Sequence, residues 1–241
     1  MTTNIQEEKT TSRAEEPRYL LQLEPPIGTS YWSVQNIPIF DYKVVGTLAS
    51  PVQYLLVSWS CQCYIFTTNQ KPDANNFGGS GGAFYIVMKH SGQVDSTLYH
   101  GKQTFKLQIS ASSGSPMTHL PDHSTKDGDN WTATIDYEQA MQMFNSGGND
   151  TFTHNARYNE TYQLSKMNQS GGVLNNTAEA VFQPDAGSAW YNTPKEIHGL
   201  SVFRQTEPSQ WPLKFTFKAI AEFDSTVRTV TEEKTINLSF Q

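Results

Sequence analysis

The chain has 241 residues, a net charge of −6 and 17% charged residues, against roughly 25% charged residues in an average domain. The acidic balance argues against tight nucleic-acid binding, which needs a basic surface, and no run of about 18 apolar residues predicts a transmembrane helix. Aromatic residues make up 12% of the chain, too many for a disordered protein, so we expect one large domain with a packed core.

The first 17 residues are polar and mixed in charge, and they show no periodicity. Such a segment is typical of a flexible arm that becomes ordered only on a partner. It contains no apolar core, so we expect no signal peptide. Residues 18–241 are predicted to form a single β-sandwich domain.

Alternating apolar and polar residues predict five clear β-strands. The strongest covers residues 54–66, where the odd positions are apolar or cysteine and the even positions include Ser58, Ser60 and Gln62. The other four cover residues 104–110, 131–137, 213–223 and 235–240. Residues 83–88 are apolar at every position, which predicts a strand that is covered on both faces. Weaker candidates are residues 42–48, 179–183 and 200–204.

The only cysteines, Cys61 and Cys63, lie two residues apart in the strongest predicted strand, so their side chains point to the same face. Neighbours of this kind rarely form a disulfide, and a C-x-C pair alone is a weak sign of a metal site. We therefore predict reduced core thiols, which indicates a reducing compartment or a fold that needs no disulfide.

One short helix is predicted after residue 136. Asp136 can cap it, and its apolar face would comprise Tyr137, Ala140, Met141 and Phe144 before a Ser-Gly-Gly stop at residues 146–148. Residues 145–178 are mostly Asn, Gly, Ser and Thr, which predicts long surface loops. Because strands do not alternate with helices, we expect an antiparallel β-sandwich with long loops and one or two short helices.

Residues 77–82 read FGGSGG and raise the possibility of a phosphate-binding loop. Such a loop needs a helix after it and usually a closing lysine, whereas here a predicted strand follows and no lysine closes the loop. We therefore interpret the segment as a connection between two strands.

A second candidate is the stretch around His119 and His123, which lie four residues apart with Pro121 between them. A zinc pair at this spacing requires a helix, which the proline disfavours, and Asp122, Asp127 and Asp129 do not match the spacing of a calcium loop. A structural loop is the favoured interpretation, with a weak metal site as the alternative.

The remaining histidines, His90, His100, His154 and His198, fall among predicted loop residues without a nearby nucleophile pattern. The chain has no G-x-S-x-G elbow and no evident pair of catalytic carboxylates. We therefore predict no enzymatic activity, no catalytic or metal-binding residues and no cofactor, although a convergent triad stays open.

Aromatic pairs in predicted loops form a third candidate. Tyr31-Trp32, Trp190-Tyr191 and Trp211 could stack on sugars or on a protein partner. We favour core closure or a subunit interface over a glycan site.

The polar non-basic arm, the single β-sandwich with long loops, the low charge and the long strand PLKFTFKAIAEF at residues 212–223 together resemble a jelly-roll capsid protein of picorna-like icosahedral viruses. The chain ends in Gln241, and the proteases of such viruses often cut after Gln. The resemblance covers residues 30–230 as a pattern and carries no functional residue. Two features depart from it: predicted strands continue after Phe223, and the chain begins with Met.

The resemblance implies a structural capsid protein that assembles with copies of itself or with related jelly-roll subunits into an icosahedral shell. It further implies a location in the virion, and in the host cytoplasm before assembly, with a host receptor as a further partner. The alternative is a β-sandwich of another class, either a carbohydrate-binding lectin or a membrane-active pore-forming protein.

Overall fold

A computed structural model describes eleven segments of the chain, which are almost entirely β-strand. They comprise residues 31–49, 52–67, 84–96, 103–128, 130–137, 139–140, 159–165, 167–184, 195–205, 212–223 and 226–236. The predicted arm at residues 1–17, the FGGSGG segment and residues 237–241 lie outside the described residues.

The described residues form thirteen strands. In chain order they are β1 (Tyr31–Ala49), β2 (Val52–Thr67), β3 (Phe84–Ser96), β4 (Gln103–Ala111), β5 (Ser115–Leu120), β6 (Ser124–Asp127), β7 (Asn130–Asp136), β8 (Asn159–Ser165), β9 (Met167–Leu174), β10 (Thr177–Pro184), β11 (Lys195–Gln205), β12 (Leu213–Phe223) and β13 (Thr226–Ile236).

Two five-stranded antiparallel sheets pack against each other. Sheet 1 has the strand order β1-β2-β3-β11-β5, and sheet 2 has the order β13-β12-β4-β10-β9. A smaller sheet 3 has the order β6-β7-β8. The predicted antiparallel β-sandwich is therefore confirmed, while its jelly-roll connectivity stays a prediction.

The core between sheets 1 and 2 contains the residues that the alternation predicts. In β2 every odd position from Leu55 to Ile65 is buried, and in β12 Leu213, Phe215, Phe217, Ala219 and Ala221 are buried. Trp59 meets Phe217 edge-to-face, with their ring centroids 5.3 Å apart. Cys61 and Cys63 are buried and unbridged, as predicted, and burial raises the pKa of the Cys61 thiol to about 12.

A second apolar cluster covers part of the outer face of sheet 1. Ile135 and Tyr137, from β7 and the residue after it, pack there with Tyr85 and Val87 of β3. Strand β3 is therefore covered on both faces, as its unbroken apolar run predicts. The same cover explains why Gln62, predicted on the polar face of β2, is buried, where it accepts a hydrogen bond from the Tyr64 hydroxyl.

The prediction of long loops over residues 145–178 is wrong from residue 159 onwards, because β8 and β9 lie there, while residues 145–158 lie outside the described residues. Strand β9 reads MNQSGGVL and lacks an apolar alternation, so its strand conformation comes from pairing with β10. Asn175 and Asn176, at φ 50° and 58°, join the two strands in a tight turn that asparagine favours.

The last predicted strand, residues 235–240, overlaps β13 at residues 235–236, and its other residues lie outside the described ones. The sequence did not predict the earlier part of β13, which begins at Thr226. Its side chains are mostly polar because one face points to solvent and the other is only partly covered. The sequence pattern of this edge strand is therefore too polar to reveal it.

The predicted helix cap at Asp136 is confirmed. The backbone is helical at Tyr137, Gln139 and Ala140, and the Gln139 N–H donates to Asp136 Oδ1 at 3.1 Å. The rest of the predicted helix lies outside the described residues. No helix in the described part of the chain has the length and apolar character that crossing a membrane requires.

Candidate functional site

Two histidines and a serine meet on the inner face of sheet 1. His90 lies on β3, Ser201 on β11 and His119 on β5, which are neighbouring strands. The strand register places His119 directly opposite Ser201 and places His90 opposite Gly199. Because Gly199 has no side chain, the His90 ring can reach diagonally towards Ser201.

The serine hydroxyl lies between the two rings. Ser201 Oγ is 2.8 Å from His90 Nε2 and 2.7 Å from His119 Nδ1. The two imidazole rings are stacked, with centroids 5.7 Å apart and planes inclined by 19°. We call these three residues the Ser–His–His cluster.

Burial sets the protonation of this cluster. Desolvation lowers the pKa of His119 to about 4. It also lowers the pKa of His90 well below its ordinary value, and the neighbouring His119 adds to this effect. Both rings are therefore neutral at pH 7.

One hydroxyl proton serves both rings, so their tautomers are linked. If Ser201 donates to one ring, the other ring must donate its N–H to Ser201 Oγ. The remaining atoms, His90 Nδ1 and His119 Nε2, are buried and have no hydrogen-bond partner among the described residues. One of them is then a donor and the other an acceptor.

A small cavity adjoins the cluster. It has a volume of about 10 Å³, roughly what one water molecule needs, and both histidines and Trp59 line it. Trp59 Nε1 is also buried without a partner among the described residues. The surface that lines the cavity is almost entirely apolar, and the cavity is too small for a substrate or a sugar ring.

Two glycines make room for the histidines. A Cβ atom on Gly199 would lie 3.0 Å from the His119 ring. A Cβ atom on Gly171, on β9 of sheet 2, would lie 2.6 Å from both His119 Cδ2 and the Pro121 carbonyl oxygen. The two sheets thus approach each other closely where the polar cluster sits.

A serine within hydrogen-bond reach of a histidine is the arrangement of an activated nucleophile. Here, however, Ser201, His119 and His90 are only 0%, 3% and 4% exposed. No carboxylate is among the hydrogen-bond partners described for either ring. The arrangement is suited to tying β3, β11 and β5 together rather than to attacking a substrate.

The structure separates the histidines that the sequence placed together. His119 lies on β5 and is buried, whereas His123 is exposed beside Asp122, with His123 Nδ1 2.8 Å from Asp122 Oδ1. Within the described segments, no group of three or more His, Cys, Asp or Glu residues could hold a metal ion. Asp127 ends β6, and Asp129 lies outside the described residues.

His90 and His198 are strand residues rather than loop residues, so that prediction is wrong for both. His198, on β11, lies 3.4 Å from Glu196 through its Nε2. His100 and His154 lie outside the described residues, as do Trp190, Tyr191 and Trp211. Tyr31 and Trp32 begin β1. Core closure or a subunit interface stays the prediction for these aromatic residues, with a glycan site as the alternative.

Exposed apolar side chains occur on three strands of the described surface. Tyr42 and Val44 lie on an irregular stretch of β1, Val173 and Leu174 at the turn-proximal end of β9, and Val227 on β13. The backbone of Tyr42 is left-handed, with φ 42°, which is rare for an aromatic residue and marks a local bulge.

No protein-family model matches this chain, and a search of curated proteins finds no match.

Proposed function

We propose that this protein is a structural subunit of a viral shell, which assembles with copies of itself or with related subunits. The proposal includes a jelly-roll relationship to the capsid proteins of picorna-like icosahedral viruses. The observation that carries it is the distribution of exposed apolar residues over β1, β9 and β13. A subunit in a closed shell needs several different contact surfaces, because it meets more than one neighbour.

The charge of the chain supports the same proposal. Only 17% of its residues are charged, so surfaces that come together bring few like charges into contact. Each exposed apolar place is small, and symmetry would repeat the modest contact that each provides.

The sandwich interior favours binding through the surface over binding in a pocket. The Ser–His–His cluster is buried, and its cavity has room for about one water. A sandwich whose interior leaves no room for a ligand suits a building block whose role is structural.

The test is the assembly state of the full chain, expressed alone and together with neighbouring subunits from its natural source. Native mass measurement and negative-stain imaging should show regular closed particles. A 27.0 kDa monomer at every concentration and in every co-expression would contradict the proposal.

A membrane-active protein is the second candidate, and one observation favours it. Val173 and Leu174 are 44% and 57% exposed beside the Asn175-Asn176 turn, which gives the hairpin an apolar tip. If this tip inserts into membranes, the chain should bind liposomes, and replacing both residues with serine should abolish binding. A Val227→Ser variant is the matched control, since Val227 is 60% exposed, more than either tip residue, but lies on β13.

A further inference from the structure

The two strands at one side of the sandwich differ in regularity. Strand β13 is the edge of sheet 2 and lies beside β1, the edge of sheet 1. It pairs with β12 through all 11 of its residues without a register shift. In the described part of the chain, no strand pairs with its other side. A long, regular edge of this kind is a template for adding another strand.

Strand β1 carries the features that block such addition. Its pairing with β2 shifts register three times, between Pro38 and Phe40, between Phe40 and Lys43, and between Val44 and Gly46. Proline and bulges are common protections of sheet edges. Strand β13 contains neither, since it reads TVRTVTEEKTI and keeps one register throughout.

We propose that β13 of one copy pairs antiparallel with β13 of a second copy, centred on Val230, so that sheet 2 continues from one copy into the next. This inference rests on the proposed function, because a shell subunit must contact copies of itself. Beyond the shell role, the inference specifies the contact surface, the strand of the second copy that pairs with it, and the register of that pairing.

Geometry restricts the possible registers. Val230 packs against the core and Ile236 is buried, so the even-numbered residues of β13 face sheet 1. A two-fold axis perpendicular to sheet 2 keeps that face on the same side in both copies. Even-numbered residues must then pair with even-numbered ones, because side chains directly opposite each other share a face.

Charge favours the register centred on Val230 over those centred on Thr231, Glu232 and Glu233. Centred on Val230, the pairing places Arg228 of each copy opposite Glu232 of the other, and Thr229 opposite Thr231. Centred on Thr231, it would place Arg228 opposite Lys234. Centred on Glu232 or Glu233, it would place two glutamates opposite each other. Opposite charges and threonine pairs stabilise cross-strand contacts, whereas like charges destabilise them.

The outer face provides a direct test through disulfide cross-linking. Thr229 and Thr231 are exposed, so a cysteine at either position should leave the fold intact. In the proposed register Thr229→Cys in one copy faces Thr231→Cys in another, within bridging distance. Two copies of the same variant place their cysteines roughly 7–8 Å apart, beyond the usual limit for a disulfide.

Mild oxidation of an equimolar mixture of full-length Thr229→Cys and Thr231→Cys should give a covalent dimer containing one chain of each. Each variant alone should give little dimer, and so should a mixture of Thr229→Cys with Thr235→Cys. The native cysteines are buried and provide a background control in the unmodified chain. If the mixture gives no more dimer than the single variants do, the inference is overturned.

Charge reversal gives an independent readout. Arg228→Glu should weaken self-association by about tenfold, because two symmetric contacts turn from attraction to repulsion. Adding Glu232→Arg should restore association in the double variant. Equal association of all three proteins would contradict the register.

Other outcomes separate this inference from the proposed function. Particles without the mixed disulfide would overturn the β13 pairing and leave the shell role standing. A cross-linked dimer that never forms particles would support the pairing and count against the shell role. If the mixed disulfide were absent in the full chain and formed only after deletion of residues 1–17, the arm would occupy this edge, and the pairing would be overturned for the full chain.

Discussion

The core between the two large sheets has an apolar half and a polar half. In the apolar half, Phe215 meets Phe203 edge-to-face at 5.2 Å, and Phe217 meets Trp59 at 5.3 Å. In the polar half, the Ser–His–His cluster replaces such contacts with two hydrogen bonds on a single hydroxyl. Burial stabilises the apolar half at any pH, whereas protonation of either imidazole destabilises the polar half.

The apolar half should give the largest loss of stability when it is truncated. Phe217 is fully buried, so Phe217→Ala removes a large apolar surface and leaves a cavity beside Trp59. We expect a loss of about 4 kcal/mol in the free energy of unfolding, measured by urea denaturation. Val227→Ala, at a position that is 60% exposed, should change the free energy little. Equal effects of the two variants would show that Phe217 is not in the core.

The polar half should make the protein sensitive to acid. The pKa of His119 is lowered from 6.5 to about 4, so the folded state binds fewer protons than the unfolded state between these values. Stability from this group is therefore complete above pH 6.5 and is lost as the pH falls towards 4. His119 alone should account for a loss of about 3 kcal/mol in the free energy of unfolding over this range. The pKa of His90 is lowered as well, so His90 adds to this loss.

The matched control for the acid effect is His119→Asn. The asparagine amide can occupy the position of Nδ1 and keep a hydrogen bond to Ser201, but it does not titrate. Urea denaturation at pH 7 and pH 4.5 should show a clearly smaller pH dependence in the variant, since carboxylates contribute to both proteins. An unchanged pH dependence would mean that His119 is not buried as a neutral ring.

Removing the Ser201 hydroxyl, which both imidazoles share, should lower the free energy of unfolding by less than truncating Phe217 does. Ser201→Ala leaves His90 Nε2 and His119 Nδ1 buried without their partner. We expect a loss of about 2 kcal/mol, because unsatisfied buried polar groups keep their desolvation cost. Ser91→Ala on β3 is the control, because its hydroxyl bonds to Ser60 at an exposed position. A loss below 0.5 kcal/mol in Ser201→Ala, about the effect of a surface substitution, would contradict the cluster.

How well the sequence predicts a strand depends on whether the strand lies inside a sheet or at its edge. Strands β4 and β12, and β2 as far as Ser60, alternate between one buried and one more exposed face, so their apolar residues mark both the strand and its inner side. Strands β9 and β13 are edges with few apolar residues, and their conformation depends on a neighbouring strand that local sequence does not reveal.

The sequence could not predict the Ser–His–His cluster for a different reason, which is that its members are far apart along the chain. Ser201 is 111 residues from His90 and 82 residues from His119 along the chain. The strand order β3-β11-β5 brings them together, and no spacing rule encodes that order. The sequence feature that could have pointed to the cluster is the pair Gly199 and Ser201, two small residues on the inner face of a strand whose other inner residues are bulky.

The smallest expected effect concerns the spacing of the sheets beside the cluster. Gly171→Ala would place a Cβ atom 2.6 Å from His119 Cδ2 and from the Pro121 carbonyl oxygen, so backbone or ring must move. We expect a loss of about 1–2 kcal/mol in the free energy of unfolding. Gly172→Ala is an adjacent control, because a Cβ atom there meets nothing within 4 Å. If Gly171→Ala were as harmless as Gly172→Ala, the two sheets would not be held in close contact at the polar half.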